Sequence, residues 1–333
     1  MKNLKRKDFI QLNKDVYKNI QEFDILKSKI NESPIYENNN SNNSNKNLIY
    51  ITLFCEDENA IYLNYFELFL KSYINVINDN NIDFLIITNN TTYNYIIKII
   101  EKYNLKEILY FLTNINLGFG YFERYRIFEW QNINNYKLAL YLDCDIILIK
   151  NLNKLFDDIN LNDNDNYYLY VMNAHYDNIY KGYTGLYFLK NENTDNYKPI
   201  NSGQFIFYVN GFIKELFNRI NIYIENIWDE YAKAIPHCMV IDQIVFNFFI
   251  VKYNIKVDYN LFNKYAFIPN YDIDFKEFDF DDERNSFQYE KIENNNDLTI
   301  VHFAGGGIIN NGVNKYLHIK KFYNSIKKNK HFL

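Results

Sequence analysis

The sequence predicts an α/β fold in which a central, mostly parallel sheet is covered by helices on both faces. Apolar strand-like runs alternate with amphipathic helical stretches along the first half of the chain. Those runs are mostly apolar, as expected for strands buried on both faces. A chain of 333 residues with 48% hydrophobic residues is also long enough to bury a large core.

The elements of the first half begin with a strand at 48–55, LIYITLFC, which the polar turn EDEN follows. The amphipathic stretch 61–77 then predicts a helix. The same alternation predicts strands at 82–88, 106–112 and 137–149, and helices at 91–104 and 121–133. Ligands of such sheets bind beyond the carboxyl ends of the strands.

The second half of the chain is less regular but yields further elements. A surface loop is predicted for the acidic, Asn-rich stretch 270–297. LTIVHFAGGG at 298–307 predicts a strand that runs into glycines. Strands are also predicted at 167–174 and 203–210, and helices at 211–233 and 239–252.

The N-terminal region differs in composition from the remainder. Residues 1–35 are weakly helical in pattern, and the low-complexity run YENNNSNNSNKN (36–47) predicts a linker, because so polar a tract buries little apolar area. We therefore predict an extension with an Asn-rich linker at 1–46 and a single domain at 47–333. The extension could pack on the domain or mediate a homodimer, and the sequence leaves both open.

Composition excludes some classes of protein. The net charge is −5, with 36 basic and 41 acidic residues, whereas nucleic-acid-binding proteins usually carry a basic excess. Three widely spaced cysteines predict reduced thiols in a reducing compartment. The basic N-terminus has no apolar segment after it, and no run approaches the length of a membrane span. We expect a soluble, cytoplasmic protein without a signal peptide or transmembrane segment.

The stretch YLDCDIILIKNL at 141–152 places Asp143 and Asp145 between two apolar runs. Ionised carboxylates are rarely buried unless they are paired or bound to a metal. On extended backbone, residues two apart point to one side, so the pair could share Mg²⁺ or Mn²⁺, which would in turn clamp a diphosphate. A pair that caps a loop or a nearby helix is the alternative. The other Asp-x-Asp motifs lie in polar surroundings, at 163–165, 272–274 and 279–281.

The stretch ERYRIFEWQNINNYKLALYLDCDIILIKNLNKLF resembles the core of the GT-A glycosyltransferases, in particular glycosyltransferase family eight, which includes glycogenin and bacterial lipopolysaccharide galactosyl- and glucosyltransferases. Three further motifs follow in the family's order: INSG at 200–203, IDQIVFN at 241–247 and VHFAGG at 301–306. The resemblance covers about residues 47–320. It implies a GT-A (Rossmann-like) nucleotide-diphospho-sugar transferase fold.

The resemblance also implies a metal site. Asp143 and Asp145 would coordinate Mn²⁺, with Mg²⁺ as the alternative, and His302 would be the third protein ligand. Carboxylate oxygens suit Mn²⁺ best, and imidazole is an acceptable ligand. Taken alone, His302 would more often be an ordinary strand histidine.

Further residues of the family pattern would bind the nucleotide. Arg124 would contact the donor diphosphate or sugar. Arg126 is the next candidate, with a solvated helix face as its alternative. Thr52 and Asp57, around the first predicted turn, would hold the base and ribose, although a plain polar turn explains them equally well.

The sugar-binding residues follow from the motifs INSG and IDQIVFN. Asn201 and Gly203 would line the donor sugar pocket, since Asn201 can pair with hydroxyls and Gly203 permits close approach. Asp242 would bind the sugar hydroxyls, and Gln243 would lie near the anomeric carbon. Family members retain the anomeric configuration, and glutamine is a poor nucleophile, which favours front-face substitution over a covalent intermediate.

The C-terminal motif departs from the family pattern, which continues His-x-x-Gly-x-x-Lys-Pro-Trp with its Lys on the donor phosphates. Gly305 matches the glycine, but Ile308 stands at the Lys position and no Pro-Trp follows. Glycine-rich backbone can bind phosphate oxygens through its N–H groups. Lys315, at the start of the next predicted helix, could supply the missing cation.

The function implied is a retaining, metal-dependent hexosyltransferase that uses UDP-glucose, UDP-galactose or UDP-GlcNAc. Its acceptor would be a glycan, a protein or a lipid-linked sugar. One alternative is a nucleotidyltransferase, but LFCEDEN at 53–59 lacks the glycine and basic residue of a phosphate loop. The other is a non-catalytic relative that serves as a sugar-binding or scaffold module.

Overall fold

The computed structural model describes residues 35, 45–77, 81–105, 107–114, 120, 122–161, 168–173, 197–234, 241–269, 295–304, 308–309 and 313–328. Its strands are β1 (Asn47–Thr52), β2 (Ile82–Thr88), β3 (Ile108–Leu112), β4 (Leu138–Leu142), β5 (Ile146–Leu148), β6 (Leu169–Asn173), β7 (Ile200–Tyr208), β8 (Val257–Asp258), β9 (Ala266–Phe267), β10 (Ile300–His302), β11 (Ile308–Ile309) and β12 (Val313–Asn314). Its α-helices are α1 (Ile61–Val76), α2 (Asn90–Lys102), α3 (Asn153–Leu161), α4 (Gly211–Ala234), α5 (Ile241–Lys252), α6 (Leu261–Tyr265) and α7 (Lys315–Lys328).

The central sheet has seven strands in the order β3-β2-β1-β4-β7-β6-β8. Strands β3, β2, β1 and β4 are parallel to one another, and β7 pairs antiparallel with both β4 and β6. Only one strand of this sheet therefore runs against the others, and the predicted mostly parallel α/β sheet is confirmed.

Both faces of this sheet are covered, and β1 shows how the sequence achieves it. Ile49 and Ile51 lie in the core on one face, whereas Leu48 and Tyr50 lie in the core on the other. Because successive strand residues point to opposite faces, a strand between two cores must be apolar throughout. Helices α1, α2, α3 and α7 supply the first core, and α4 and α5 the second.

In a small second sheet of order β5-β10-β9, strand β10 from late in the chain lies between β5 and β9. Strand β10 pairs antiparallel with β5, with His302 opposite Ile146. The Ser72 hydroxyl of α1 accepts a hydrogen bond from the N–H of Leu148 at 3.1 Å, which ties β5 to the helical layer. The small sheet thereby holds His302 beside the turn that contains Asp143 and Asp145.

Two predicted elements have a different structure. Residues 121–133, predicted as a helix, contain a 3₁₀ helix at Glu123–Glu129 and a short 3₁₀ turn at Ile133–Asn135. The predicted strand 137–149 is two strands in different sheets, separated by a turn at 143–145. The carboxylates of Asp143 and Asp145 therefore do not project from one extended strand; the chain bends between them as it passes from one sheet to the other.

None of the helices in the described ranges combines the length and the hydrophobicity that a membrane crossing requires. Residues 1–34 and 36–44 lie outside the described residues, so the division at residue 46 stays a prediction. The same holds for most of the loop predicted at 270–297 and for the role of 1–46 in a homodimer.

Candidate functional site

The site lies at the carboxyl end of β4, where the chain passes from the large sheet to the small one. Asp143 directly follows β4, and its N–H donates to the carbonyl of Gly203 at 2.8 Å. Because β7 runs antiparallel to β4, the first residues of β7 lie beside the last residues of β4. The motifs at 143–145 and 200–203 are therefore neighbours in space.

Asp143, Asp145 and His302 form a cluster whose ligand atoms all lie within 4.8 Å of one another. His302 Nε2 lies 3.3 Å from Asp145 Oδ1 and 3.8 Å from Asp143 Oδ2. Asp145 Oδ1 and His302 Nδ1 are buried and make no hydrogen bond of normal geometry. The structure thus brings together the three residues predicted as metal ligands.

Gly203 forms the wall of this cluster. A Cβ atom at that position would lie 2.5 Å from Asp143 Oδ2 and 2.9 Å from His302 Nε2, and closer still to His302 Cε1. Real Cβ atoms do not approach other atoms so closely. The glycine of INSG is therefore required by close approach to the candidate metal ligands rather than by a turn, since it lies inside β7.

Arg124 is the central cation of the site and is almost completely buried. Its guanidinium donates to the Ser202 carbonyl at 2.6 Å and pairs with Asp242 at 3.2 Å and Asp143 at 3.4 Å. It also lies over the Tyr141 ring, 4.5 Å from the centroid. Burial acts to lower the pKa of Arg124, but the surrounding phenol and carboxylates raise it well above its usual range.

Asp242 and Gln243 lie in the first turn of α5 and contact the start of β7. Asp242 Oδ2 accepts from the Ser202 hydroxyl at 2.6 Å, and Gln243 Oε1 accepts from the Ser202 N–H at 3.3 Å. Asn247, one turn later, fixes this arrangement because its side-chain amide bonds both the N–H and the carbonyl of Ile200. The spacing Asp-Gln-x-x-x-Asn therefore follows from one helix face docking on one strand end.

The two clustered carboxylates differ in their surroundings. Burial raises the pKa of Asp143 above its ordinary value, although Arg124 opposes the shift. Burial would also raise the pKa of Asp145, but Lys315 and His302 hold that pKa below its usual range. The Tyr141 hydroxyl donates to Asp143 Oδ1 at 2.5 Å, and Thr52 Oγ1 lies 3.0 Å from the same hydroxyl.

The remaining predicted residues do not all lie beside the cluster of Asp143, Asp145 and His302. Lys315 begins α7, as predicted, and its ammonium contacts Asp145 Oδ2 at 2.5 Å. Asn201 accepts from the Gly203 N–H at 3.0 Å. Asp57 lies in an exposed turn and accepts from the Asn59 N–H at 2.7 Å. Gly305 lies outside the described residues.

Arg126, the second arginine considered from the sequence, points to a different part of the surface. Its guanidinium lies 2.7 Å from Glu129, 3.8 Å from Glu225 and 3.9 Å from Glu123. These pairs match the alternative of a charged helix face. Contact of Arg126 or Asp57 with a nucleotide stays an untested prediction.

Sequence reasoning missed Tyr141 and Ser202. Tyr141 stands two residues before Asp143 in β4, so strand alternation could have placed its side chain beside that carboxylate. Ser202, within the INSG motif, bonds both Asp242 and Gln243. No local signal in the sequence indicates the tertiary hydrogen bonds of Ser202.

Glu123 is a further buried carboxylate, beside Arg124 in the chain. Its side chain is 1% exposed, Oε2 has no hydrogen-bond partner, and burial raises its pKa to about 7. Since the raised pKa belongs to the folded state, Glu123 binds its proton more tightly there. Its contribution to stability is complete below pH 4.5 and is lost as the pH rises through about 7.

We expect Glu123→Gln to remove this loss. The free energy of unfolding of the wild type should fall relative to that of the variant by about 1–3 kcal/mol between pH 4.5 and 8. Urea unfolding of both proteins at several pH values measures the difference. Glu101→Gln, at an exposed position of α2, is the control and should keep the wild-type pH dependence. Parallel curves for Glu123→Gln and wild type would contradict the prediction.

Comparison with known proteins shows a shared fold at low sequence identity. No family model matches the chain, and no curated protein matches it significantly in sequence. The galactosyltransferase LgtC, solved in complex with donor and acceptor sugar analogs, is similar in structure with a TM-score of 0.51 and 15% identity, over 84% of this chain and 95% of that one.

Two further structures show lower similarity. The bifunctional glycosyltransferase WbbM has a TM-score of 0.49 and 14% identity, over 90% of this chain and 53% of that one. Mouse xyloside xylosyltransferase 1 has a TM-score of 0.47 and 10% identity, over 77% of this chain and 97% of that one. The chain shares the fold of LgtC, and the GT-A fold predicted from the sequence is confirmed.

Proposed function

We propose that the chain is a metal-dependent, retaining glycosyltransferase that moves a hexosyl group from a UDP-sugar to a hydroxyl acceptor. One observation carries the proposal: Asp143, Asp145 and His302 converge from two sheets within 4.8 Å, next to Arg124 and a carboxylate on α5. The fold is shared with a galactosyltransferase, and a fold alone does not fix a function.

The residues of the cluster fit a divalent cation. Two atoms that both ligate a cation at about 2.1 Å lie about 3 Å apart at right angles and about 4 Å apart when opposite. The separations of 3.3 and 3.8 Å from His302 Nε2 to Asp145 and Asp143 fall in this range. Asp145 Oδ1 is buried without a hydrogen bond, which favours a cation as its partner. Two carboxylates and one imidazole suit Mn²⁺, with Mg²⁺ as the alternative.

A bound divalent cation would neutralise the charge that develops on the departing diphosphate. Tyr141 orients Asp143 by donating to Oδ1, which leaves Oδ2 directed toward His302. Arg124 holds Asp143 and Asp242 in fixed positions relative to each other. Thr52 reaches the same network through Tyr141, which supports its proposed place beside the nucleoside.

Asp242, Gln243 and Asn201 are proposed to line the donor sugar. Asp242 Oδ2 is held by both Ser202 and Arg124, which makes that oxygen a poor nucleophile and a good fixed acceptor for sugar hydroxyls. In the proposed reaction the bond from C1 to the diphosphate oxygen breaks. The acceptor oxygen bonds C1 from the same face, and its proton passes to the leaving diphosphate.

The anomeric outcome tests the retaining mechanism. We expect the glycoside product to have the configuration of the donor, which NMR of the product measures directly. An inverted product would contradict front-face transfer. A sugar covalently trapped on Asp242 would instead replace it with a two-step mechanism.

The donor is identified by thermal unfolding with UDP, UDP-glucose, UDP-galactose and UDP-GlcNAc, each with and without Mn²⁺. A ligand that binds only the folded state, and is present at about 100 times its Kd, stabilises it by about 2.7 kcal/mol, which for a chain of this size raises Tm by about 4 °C. We expect this shift for one UDP-sugar, only with Mn²⁺, and its loss in Asp143→Asn.

Asp157→Asn is the matched control, because Asp157 is an exposed carboxylate on α3 outside the site. It should keep the full Mn²⁺-dependent shift. A shift with other nucleotide sugars would change the donor class and leave the reaction type. If none of these ligands shifts Tm with Mn²⁺ or Mg²⁺, the enzyme proposal fails and the non-catalytic sugar-binding alternative takes its place.

A further inference from the structure

The contact between Lys315 and Asp145 has a consequence for metal binding. Lys315 is 3% exposed, and its ammonium lies 2.5 Å from Asp145 Oδ2 and 5.3 Å from the centre of the Tyr65 ring. A buried ammonium is costly unless it is paired. The structure therefore includes a built-in cation on one oxygen of a candidate metal ligand.

The two oxygens of Asp145 would then be shared between two cations. Oδ2 contacts Lys315, and Oδ1 faces His302 Nε2 at 3.3 Å. Since both oxygens belong to one carboxylate, a metal ion on Oδ1 would lie within a few ångströms of the ammonium. Like charges so close repel strongly in a buried site.

The charge balance of the site also disfavours binding of a metal ion alone. Asp143 and Asp242 are paired with Arg124, and Asp145 is paired with Lys315. Among the described residues, these three carboxylates and two cations together carry one net negative charge. A divalent ion would reverse that sign beside two cations, so the site as built does not favour a metal ion alone.

A diphosphate would relieve this repulsion. Its oxygens carry negative charge and offer the ammonium a second acceptor, and the flexible side chain of lysine can turn from one acceptor to another. Lys315 would then have the diphosphate as well as Asp145 as an anionic partner. Metal and diphosphate should therefore bind together more tightly than either binds alone.

We propose that Lys315 competes with the divalent cation for Asp145, and that this competition makes metal affinity depend on the donor diphosphate. The dependence on diphosphate rests on the proposed function. The competition itself rests only on the cluster of Asp143, Asp145 and His302. Because coupling between two binding sites is reciprocal, the metal must raise diphosphate affinity by the same factor.

The experiment measures Mn²⁺ affinity from the EPR signal of free Mn²⁺, without and with UDP. For the wild type we expect weak binding alone and at least ~10-fold tighter binding with UDP, within the usual range of coupling. For Lys315→Met we expect Mn²⁺ alone to bind at least ~10-fold tighter than in the wild type. UDP should then raise the Mn²⁺ affinity of this variant by a smaller factor than it raises that of the wild type.

Lys320→Met is the matched control, because Lys320 is exposed on the same helix and should keep wild-type affinities. Lys315→Gln is a second variant whose amide can still donate to Asp145 without a charge, and it should behave like Lys315→Met. Urea unfolding confirms that each variant is folded. If Lys315→Met does not fold, the Mn²⁺ affinity of Lys315→Gln and the effect of UDP on the Mn²⁺ affinity of the wild type test the proposal.

The outcomes separate this proposal from the proposed function. If neither Lys315 variant binds Mn²⁺ more tightly than the wild type, the competition is wrong, even when UDP-sugars bind. The same conclusion follows if no variant binds Mn²⁺ at all. If UDP binds to none of the proteins but both variants gain Mn²⁺ affinity, the competition holds and the UDP-sugar proposal fails.

Discussion

We expect Arg124→Met to lower the free energy of unfolding by about 3–5 kcal/mol, the usual cost of removing one partner from a buried charge network. The variant leaves Asp143 and Asp242 without their shared cation and the Ser202 carbonyl without its 2.6 Å donor. It also removes the guanidinium from the face of Tyr141. Urea unfolding with linear extrapolation measures the loss.

Arg126→Met is the natural control for this prediction. Arg126 lies on the same 3₁₀ helix, but its side chain is 24% exposed, its partners Glu129 and Glu225 are exposed, and the buried Glu123 lies at the longer distance of 3.9 Å. Exposed pairs contribute about 1 kcal/mol or less, so the loss should be smaller than for Arg124→Met. Adding Asp242→Asn to Arg124→Met should recover part of the stability, because it removes one of the unpaired charges. Equal losses for the two arginine variants would show that burial of Arg124 does not decide its contribution.

We expect Gly203→Ala to weaken Mn²⁺ binding by about 100-fold or more, because the added methyl group would occupy space between Asp143 and His302. The displaced ligand atoms could no longer meet at one ion. Overpacking of this kind also costs about 1–3 kcal/mol of stability. Free Mn²⁺ measured by EPR gives the affinity, and urea unfolding gives the stability.

Gly211→Ala serves as the control for Gly203→Ala. Gly211 is the first residue of α4, where alanine is the better helix former, so this variant should keep Mn²⁺ affinity and lose no stability. If Gly203→Ala binds Mn²⁺ like the wild type, the close approach of Gly203 to Asp143 and His302 does not determine the metal site. The metal site would then need different ligands.

The sequence predicted those parts of the fold that depend on local pattern. Apolar runs located β1 and β2 to within a few residues, because strands buried on both faces leave a strong signal. The apolar context of Asp143 and Asp145 separated them from three other Asp-x-Asp motifs. The resemblance to glycosyltransferase family eight then linked these two carboxylates to His302, which no local pattern could have done.

The remainder depended on tertiary contacts. The run 137–149 is apolar on both sides of Asp143 and Asp145, and the pairing of β5 with β10 shows that it divides between two sheets. The 3₁₀ helix at Glu123–Glu129 carries Arg124 into a site whose carboxylates come from Asp143 and Asp242. Such an override of local propensity is expected where charged groups must be satisfied in a buried site.

The pairing of β5 with β10 also sets the order in which the site can be completed during synthesis. A polypeptide is made from its N-terminus, so Asp143 and Asp145 leave the ribosome long before His302 and Lys315. Until β10 arrives to place His302 opposite Ile146, Asp145 has neither the imidazole nor the ammonium as a partner and stays hydrated. The buried centre therefore assembles only after the described strands of the large sheet have been translated.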